Sequence, residues 1–268
     1  GDAVRLPMGV YDIIVFNRSF NDFSNIAFRG NSYETLEAYA RKVETRVDKK
    51  TRVETRTIIS SPDELAAATL EGFTVTEDML GNYSQTTYGR TAPSRSSEET
   101  PDGLYHLHFV PKKLTREVSA VLHIEGLNNI RSATCRLGGV AESIFLATGK
   151  TSANTVTQEF TPSNPEFSPG SPFNGTLSCE FEIFGLNVID NNNLHLDALL
   201  VDGKTEFEGD CTNVKITEND DGTGSVTLIL EASTEKVPDV KPEGGAGSGF
   251  DVDVDGWGNE INTDIPIN

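Results

Sequence analysis

At 268 residues, the chain is too long for one small sandwich and suits two domains of about 100–150 residues each. Hydrophobic residues make up 36%, and 22 Lys+Arg against 41 Asp+Glu give a formal net charge of −19. Such a surface repels nucleic acid, whose binding rests on neutralising phosphate. It also disfavours adsorption to anionic lipid. No apolar run reaches the roughly 20 residues that a membrane-spanning helix needs.

In chain order, the first strand signal is Val10–Phe16, rich in β-branched and aromatic residues. Ser32 to Val43 then reads as a helix, with Leu36, Tyr39, Ala40 and Val43 on one face and Ser32 as its cap. Arg41 to Arg56 is locally basic. It reads as a solvated strand pair or loop, or as an exposed loop open to a trypsin-like protease. Ser61–Ala68 reads as a second short helix, with a capping serine, a first-turn proline and early acids. Leu104–Val110 is a strand-like run that ends at Pro111. A proline has no amide to donate to a ladder, so the domain boundary is placed there, with domains 1–112 and 113–268.

The second half carries Val118–Ile124, Leu177–Phe184 and Leu194–Val201, the last leading into a tight turn at Asp202–Gly203. Leu177, Cys179, Phe181 and Ile183 alternate with polar residues, which predicts one buried and one wet face. Asn213–Thr217 and Gly224–Leu230 flank Asn219–Gly222 and read as a hairpin. Gly89–Gly103, Thr148–Thr157 and Thr161–Gly175 read as loops. From Asp202 onward there are 16 acidic and 4 basic residues, a net of −12. The segment Pro238–Ser248 reads as a linker to a last strand-like element, Phe250–Asn268. The whole pattern predicts an all-β chain with one or two short helices in its first half.

Catalytic signatures are weak. Phosphate-binding loops and a serine nucleophile elbow do not occur. His106, His108 and His123 would share a face if their segments paired as strands, giving a candidate metal set. His195, between two leucines, reads as an ordinary sheet residue. The three cysteines, Cys135, Cys179 and Cys211, lack zinc spacing; they read as buried thiols, with one disulfide open. Asp251-Val-Asp-Val-Asp-Gly256 opens like a calcium loop, so Asp251, Asp253 and Asp255 are weak metal candidates. The twelfth position is Asn262 and not a glutamate, so the plainer reading is an edge strand. Phe250, Val252, Val254 and Trp257 would then be its apolar anchors, with the aspartates outward. No cofactor is expected.

Several stretches taken together resemble a known family. They are Tyr11–Asn17, Asn31–Tyr39, Ser61–Leu65, Leu107–Arg116, Ile124–Ile130, Cys135–Ile144, Leu199–Gly203 and the close Gly249–Trp257 with Ile265–Ile267. Their order and spacing resemble a domain-of-unknown-function family of exported Bacteroidetes lipoproteins. That family lies in the fimbrillin (type V pilus) superfamily and is related to the minor-fimbrium anchor proteins. The resemblance implies two tandem transthyretin-like Greek-key β-sandwiches. It implies export as a lipoprotein to the outer membrane and cell surface, with the signal and lipidated cysteine ahead of Gly1. It implies a non-enzymatic role as pilus anchor, accessory or tip subunit. The partners would be other pilin-like subunits or a host surface ligand, reached by strand addition, and the isolated chain would be a monomer. The alternatives are a stand-alone glycan- or host-protein-binding lipoprotein and, further off, a calcium-dependent module or hydrolase.

Overall fold

The computed structural model describes residues 4–47, 55–80, 106–187, 192–220 and 226–242. Strands dominate them, as the period-2 pattern requires. The first half supplies β1 (Gly9–Phe16), β2 (Ile26–Arg29), β3 (Glu37–Ala40), β4 (Lys42–Val47), β5 (Thr55–Ile59), β6 (Ala66–Val75) and the two-residue β7 (Lys112–Lys113). The second supplies β8 (Arg116–Ile124), β9 (Ile130–Ala141), β10 (Ser143–Phe145), β11 (Thr155–Phe160), β12 (Asn164–Phe167) and β13 (Gly175–Ile183). It closes with β14 (Leu194–Leu200), β15 (Glu206–Asp210), β16 (Thr212–Asp220) and β17 (Val226–Ser233).

Two large sheets organise the chain. One has six strands in the order β15-β14-β9-β11-β5-β4, the other five in the order β12-β13-β8-β17-β16. Two three-stranded sheets, β1-β6-β7 and β10-β3-β2, accompany them. Pairing is antiparallel except for β11 with β5 and β17 with β8. The inner faces of the large sheets meet where Phe160 of β11 stacks on Phe181 of β13, ring centroids 4.3 Å apart. Leu194, Leu196, Ala198 and Leu200 alternate inward along β14, so His195, Asp197 and Leu199 face the other way.

Strands from both sides of Lys112/Lys113 share sheets: β5 lies beside β11, and β3 between β2 and β10. One cluster of buried side chains runs from Phe23 to Val237. The division expected at 112/113 is therefore not a division of sheets or of buried core. Phe16, Phe20, Phe23 and Phe28 pack in edge-on and stacked pairs, a second aromatic knot that joins this cluster through Phe23.

Both expected helices are absent. Ser32 begins a single turn, in which the Leu36 amide donates to its carbonyl at 2.9 Å. The chain then extends into β3, whose neighbours β2 and β10 take up its backbone groups. Ser61–Leu65 is extended, and Ala66 starts β6. The Ser61 hydroxyl accepts from the Glu182 amide at 2.9 Å and donates to the Glu182 carbonyl at 3.2 Å, so it fastens a strap and caps no helix. In both segments tertiary pairing outweighs local propensity. The strand expected at Leu104–Val110 also fails over its described part: residues 106–110 join no ladder, and Leu107 and Val110 are exposed. Without a partner strand, an apolar pattern makes no sheet. Conversely, the Thr161–Gly175 loop contains β12, paired with β13.

Cys135 is buried and Cys179 and Cys211 are half-buried; all three thiols are free. Burial raises each above its ordinary value, Cys179 and Cys211 to about 11, and Cys135 further, with Cys211 and Cys179 nearby adding to the rise. A thiolate is the reactive form. Ellman's reagent at pH 8 is therefore expected to label none of the three rapidly in the native chain and all three in denaturant. Rapid native labelling would show that the sandwich interior is open. The linkage follows the same direction. This stabilisation is fully present below pH about 9, where unfolded thiols stay protonated, and is lost as pH rises toward the folded values.

Candidate functional site

The outward face of the six-stranded sheet carries a row of charge across four strands. Asp210 of β15 stands opposite His195 of β14, His195 opposite Arg136 of β9, and Arg136 opposite Glu159 of β11. The Arg136 Nε donates to Glu159 at 3.2 Å, and its terminal nitrogen pairs with Oδ2 of Asp197. His195 Nδ1 lies 2.8 Å from Asp210, and its Nε2 lies 3.2 Å from Oδ1 of Asp197. Asp197 itself stands directly opposite Glu208. Like charges at that position repel. Arg136 is only 14% exposed and spans two carboxylates, which ties β9, β11 and β14 side by side.

A second feature is the edge of the five-stranded sheet. β16 runs for nine residues, and among the described residues no strand pairs with its outer side. Val214 and Ile216 point toward the core, while most of the remaining residues are exposed. β12, at the opposite edge, is blunted by its brevity and by Pro165. The turn after it is held by its own hydrogen bonds. The Ser168 amide donates to the Asn174 carbonyl, and the Asn174 side chain accepts from the Gly126 amide. This braced turn presents Phe167 and Phe173, 48% and 59% exposed.

A cavity of about 540 Å³ opens beside β7 and β10. Leu114, Ile144, Phe184 and Leu186 line it, with Lys113, Arg116 and Lys150 also on its wall. Lys113 pairs with Glu182 at 2.6 Å and Arg116 with Glu218 at 2.8 Å.

The sequence candidates fare unevenly. Phe250, Val252, Val254 and Trp257, and Asp251, Asp253 and Asp255, lie outside the described residues, as does the loop Gly89–Gly103. His106 and His108 sit on an exposed non-strand segment and His123 on the exposed face of β8. Among the described residues these three do not form a ligand set. The set that does form is His195, Asp197 and Glu208, one ligand atom from each within 4.8 Å. The residues around His195 were legible as a strand, but the partner strand that brings Glu208 and Asp210 to it was not.

Taken together, these features describe an all-β protein of layered sheets with a charged sheet face, a long edge that no strand among the described residues covers and a braced aromatic turn. The family model for a domain of unknown function, DUF5119, matches residues 1–161, and the chain belongs to that family. No curated protein matches the sequence. Among solved structures, the chain is similar to a candidate adhesin from Bacteroides ovatus at 16% identity and a TM-score of 0.47. That alignment covers 76% of this chain and 66% of the other. It is also similar to a candidate adhesin from Bacteroides thetaiotaomicron at 13% identity and a TM-score of 0.40, covering 77% and 61%. A third, from Bacteroides ovatus, has 8% identity and a TM-score of 0.31, covering 76% and 55%. The chain thus spans just under two thirds of the length of the first, and less of the others.

Proposed function

We propose that this chain is a structural and adhesive protein of the cell surface that acts through strand edges and surface contacts and not by catalysis. The observation that carries the reading is the nine-residue β16 at the edge of the five-stranded sheet. Among the described residues no strand covers it, and such a long edge offers a row of backbone donors and acceptors to an added strand. The particular role is that of a pilus anchor, accessory or tip subunit, displayed at the outer membrane through a lipid anchor. The acidic net charge agrees with a solvated surface position.

The test removes Gly249–Asn268, the element assigned to strand contacts, and compares the shortened chain with the full one in assembly on whole cells. Loss of surface assembly, with the melting temperature kept or lowered, is the expected result. Unchanged assembly together with unchanged melting would remove the role given to that element.

A second reading, recognition of a glycan or host protein, is favoured by Phe167 and Phe173 on their braced turn. Exposed rigid aromatics stack on ligands at little entropic cost. Saturable binding on a glycan array, lost in Phe167→Ala/Phe173→Ala at unchanged melting temperature, is its expected signature. An array without saturable binding removes the glycan form of that reading.

A further inference from the structure

His195 is held by carboxylates at both ring nitrogens, Asp210 at 2.8 Å from Nδ1 and Asp197 at 3.2 Å from Nε2. A neutral imidazole has a single N–H. When Nδ1–H donates to Asp210, the Nε2 lone pair faces the lone pairs of Asp197 Oδ1. That arrangement needs a positive centre between them, a second proton or a metal ion. Arg136 does not supply it, because its guanidinium sits on the other oxygen, Oδ2.

Three further observations favour an ion. Glu208 stands directly opposite Asp197 on the neighbouring strand, and its carboxylate comes within 4.8 Å of the other two ligand atoms. Glu208 is exposed, so its side chain is free to complete the set. A 3.2 Å separation of Nε2 and Oδ1 is what two ligands about 2.1 Å from one ion subtend at an angle of about 100°, close to tetrahedral. Finally, a metal-bound histidine usually donates its other ring N–H to a carboxylate, which fixes tautomer and orientation. Asp210 occupies that place.

We propose that His195, Asp197 and Glu208 form a binding site for a divalent ion of the zinc class, with Asp210 as the positioning residue behind the histidine. The nitrogen ligand selects zinc-like ions over calcium and magnesium, which prefer all-oxygen sets. Ligands from β14 and β15 lie on both sides of one strand pair. The ion therefore fastens β15, the edge strand of the six-stranded sheet, and converts the Asp197–Glu208 repulsion into shared coordination.

The probe is zinc chloride added to the full chain after chelator treatment and buffer exchange, read by titration calorimetry and by thermal unfolding, with calcium chloride in parallel. One zinc per chain is expected. The melting temperature should rise by about 5–10 °C at a hundredfold excess over the dissociation constant. His195→Gln should abolish that stoichiometric step. Asp210→Asn, at a side chain 85% exposed and so outside the packed core, should weaken it 10–100-fold. Both variants should keep the metal-free melting temperature within a few degrees. No zinc uptake, uptake unchanged by both variants, or uptake of calcium in preference to zinc would each overturn the site.

Discussion

Replacing Phe160 with alanine is expected to lower stability by about 3–5 kcal/mol, the range for truncating a buried aromatic side chain. Phe160 is 6% exposed on β11 of the six-stranded sheet, and Phe181 is 7% exposed on β13 of the five-stranded sheet. Their rings stack at 4.3 Å with planes 15° apart. The contact joins the layers, so its removal leaves a cavity lined by both sheets that rigid ladders on either side cannot close. For a chain of this size the fall in melting temperature is about 2–4 °C per kcal/mol, so about 10 °C in all. Thermal and urea unfolding followed by circular dichroism measure it, with Phe160→Leu as the milder control. A loss below about 1 kcal/mol would show that the sheets are not joined at this point.

The second large effect belongs to Glu37. Its side chain is 10% exposed, yet it is charged. The Arg29 guanidinium grips it with both arms, Nε to Oε2 at 2.7 Å and the terminal nitrogen to Oε1 at 2.9 Å. The Ser143 hydroxyl from β10 donates to Oε1 as well. Arg29 also reaches Glu142 at 3.4 Å and lies over the Tyr39 ring at 5.1 Å. One carboxylate thereby ties β2, β3 and β10, and with them the two sides of the 112/113 position. Truncating one partner of a buried pair costs about 3–5 kcal/mol. Arg29 is 43% exposed, so water takes up part of its charge, and the expected cost of Glu37→Ala is about 2–3 kcal/mol.

The pH dependence of that pair has a definite sign. The hydrogen bond from Arg29 holds the Glu37 carboxyl below its ordinary value of 4.5, Ser143 adds to the effect, and burial opposes it without reversing it. The unfolded chain therefore takes up the proton first as pH falls. The stabilisation is fully present above about pH 4.5 and is lost as pH drops through the lower folded value. Glu37→Gln removes the titrating group. The stability difference between the natural chain and Glu37→Gln is expected to shrink between pH 6 and pH 3. A difference that stays constant over that range would mean that Glu37 is not held ionised by Arg29.

Much of the strand pattern was legible in the residues, and for a physical reason. A half-buried strand must alternate, and β1, β8, β13, β14 and the pair β16 and β17 all show that alternation or its β-branched and aromatic content. The inward set of Leu177, Phe181 and Ile183 on β13 follows from period 2 alone. Chain-local signals misled where a distant partner decided. Ser32–Val43 and Ser61–Ala68 carry helical caps and spacing, yet the backbone of the first pairs with β10 and the second is strapped to β13 through Ser61 and Glu182. Leu104–Val110 had strand content, but its described residues meet no partner and stay out of any ladder.

The sequence by itself determined the all-β class, the acidic surface and the faces of the long strands, because these depend on composition and on neighbours one or two residues away. Tertiary structure decided which strands share a sheet, because register across 20 to 100 residues is set by mutual burial and hydrogen bonding and not by local preference. It therefore decided that β5 lies beside β11 and β3 beside β10, across the position where the sequence suggested a domain boundary. It also decided the placement of His195. Read along the chain it is one polar residue between two leucines; in the sheet, the turn after Leu200 returns β15 antiparallel and sets Glu208 and Asp210 beside it. A side chain's identity is local, but its electrostatic surroundings belong to the strand that folds back against it.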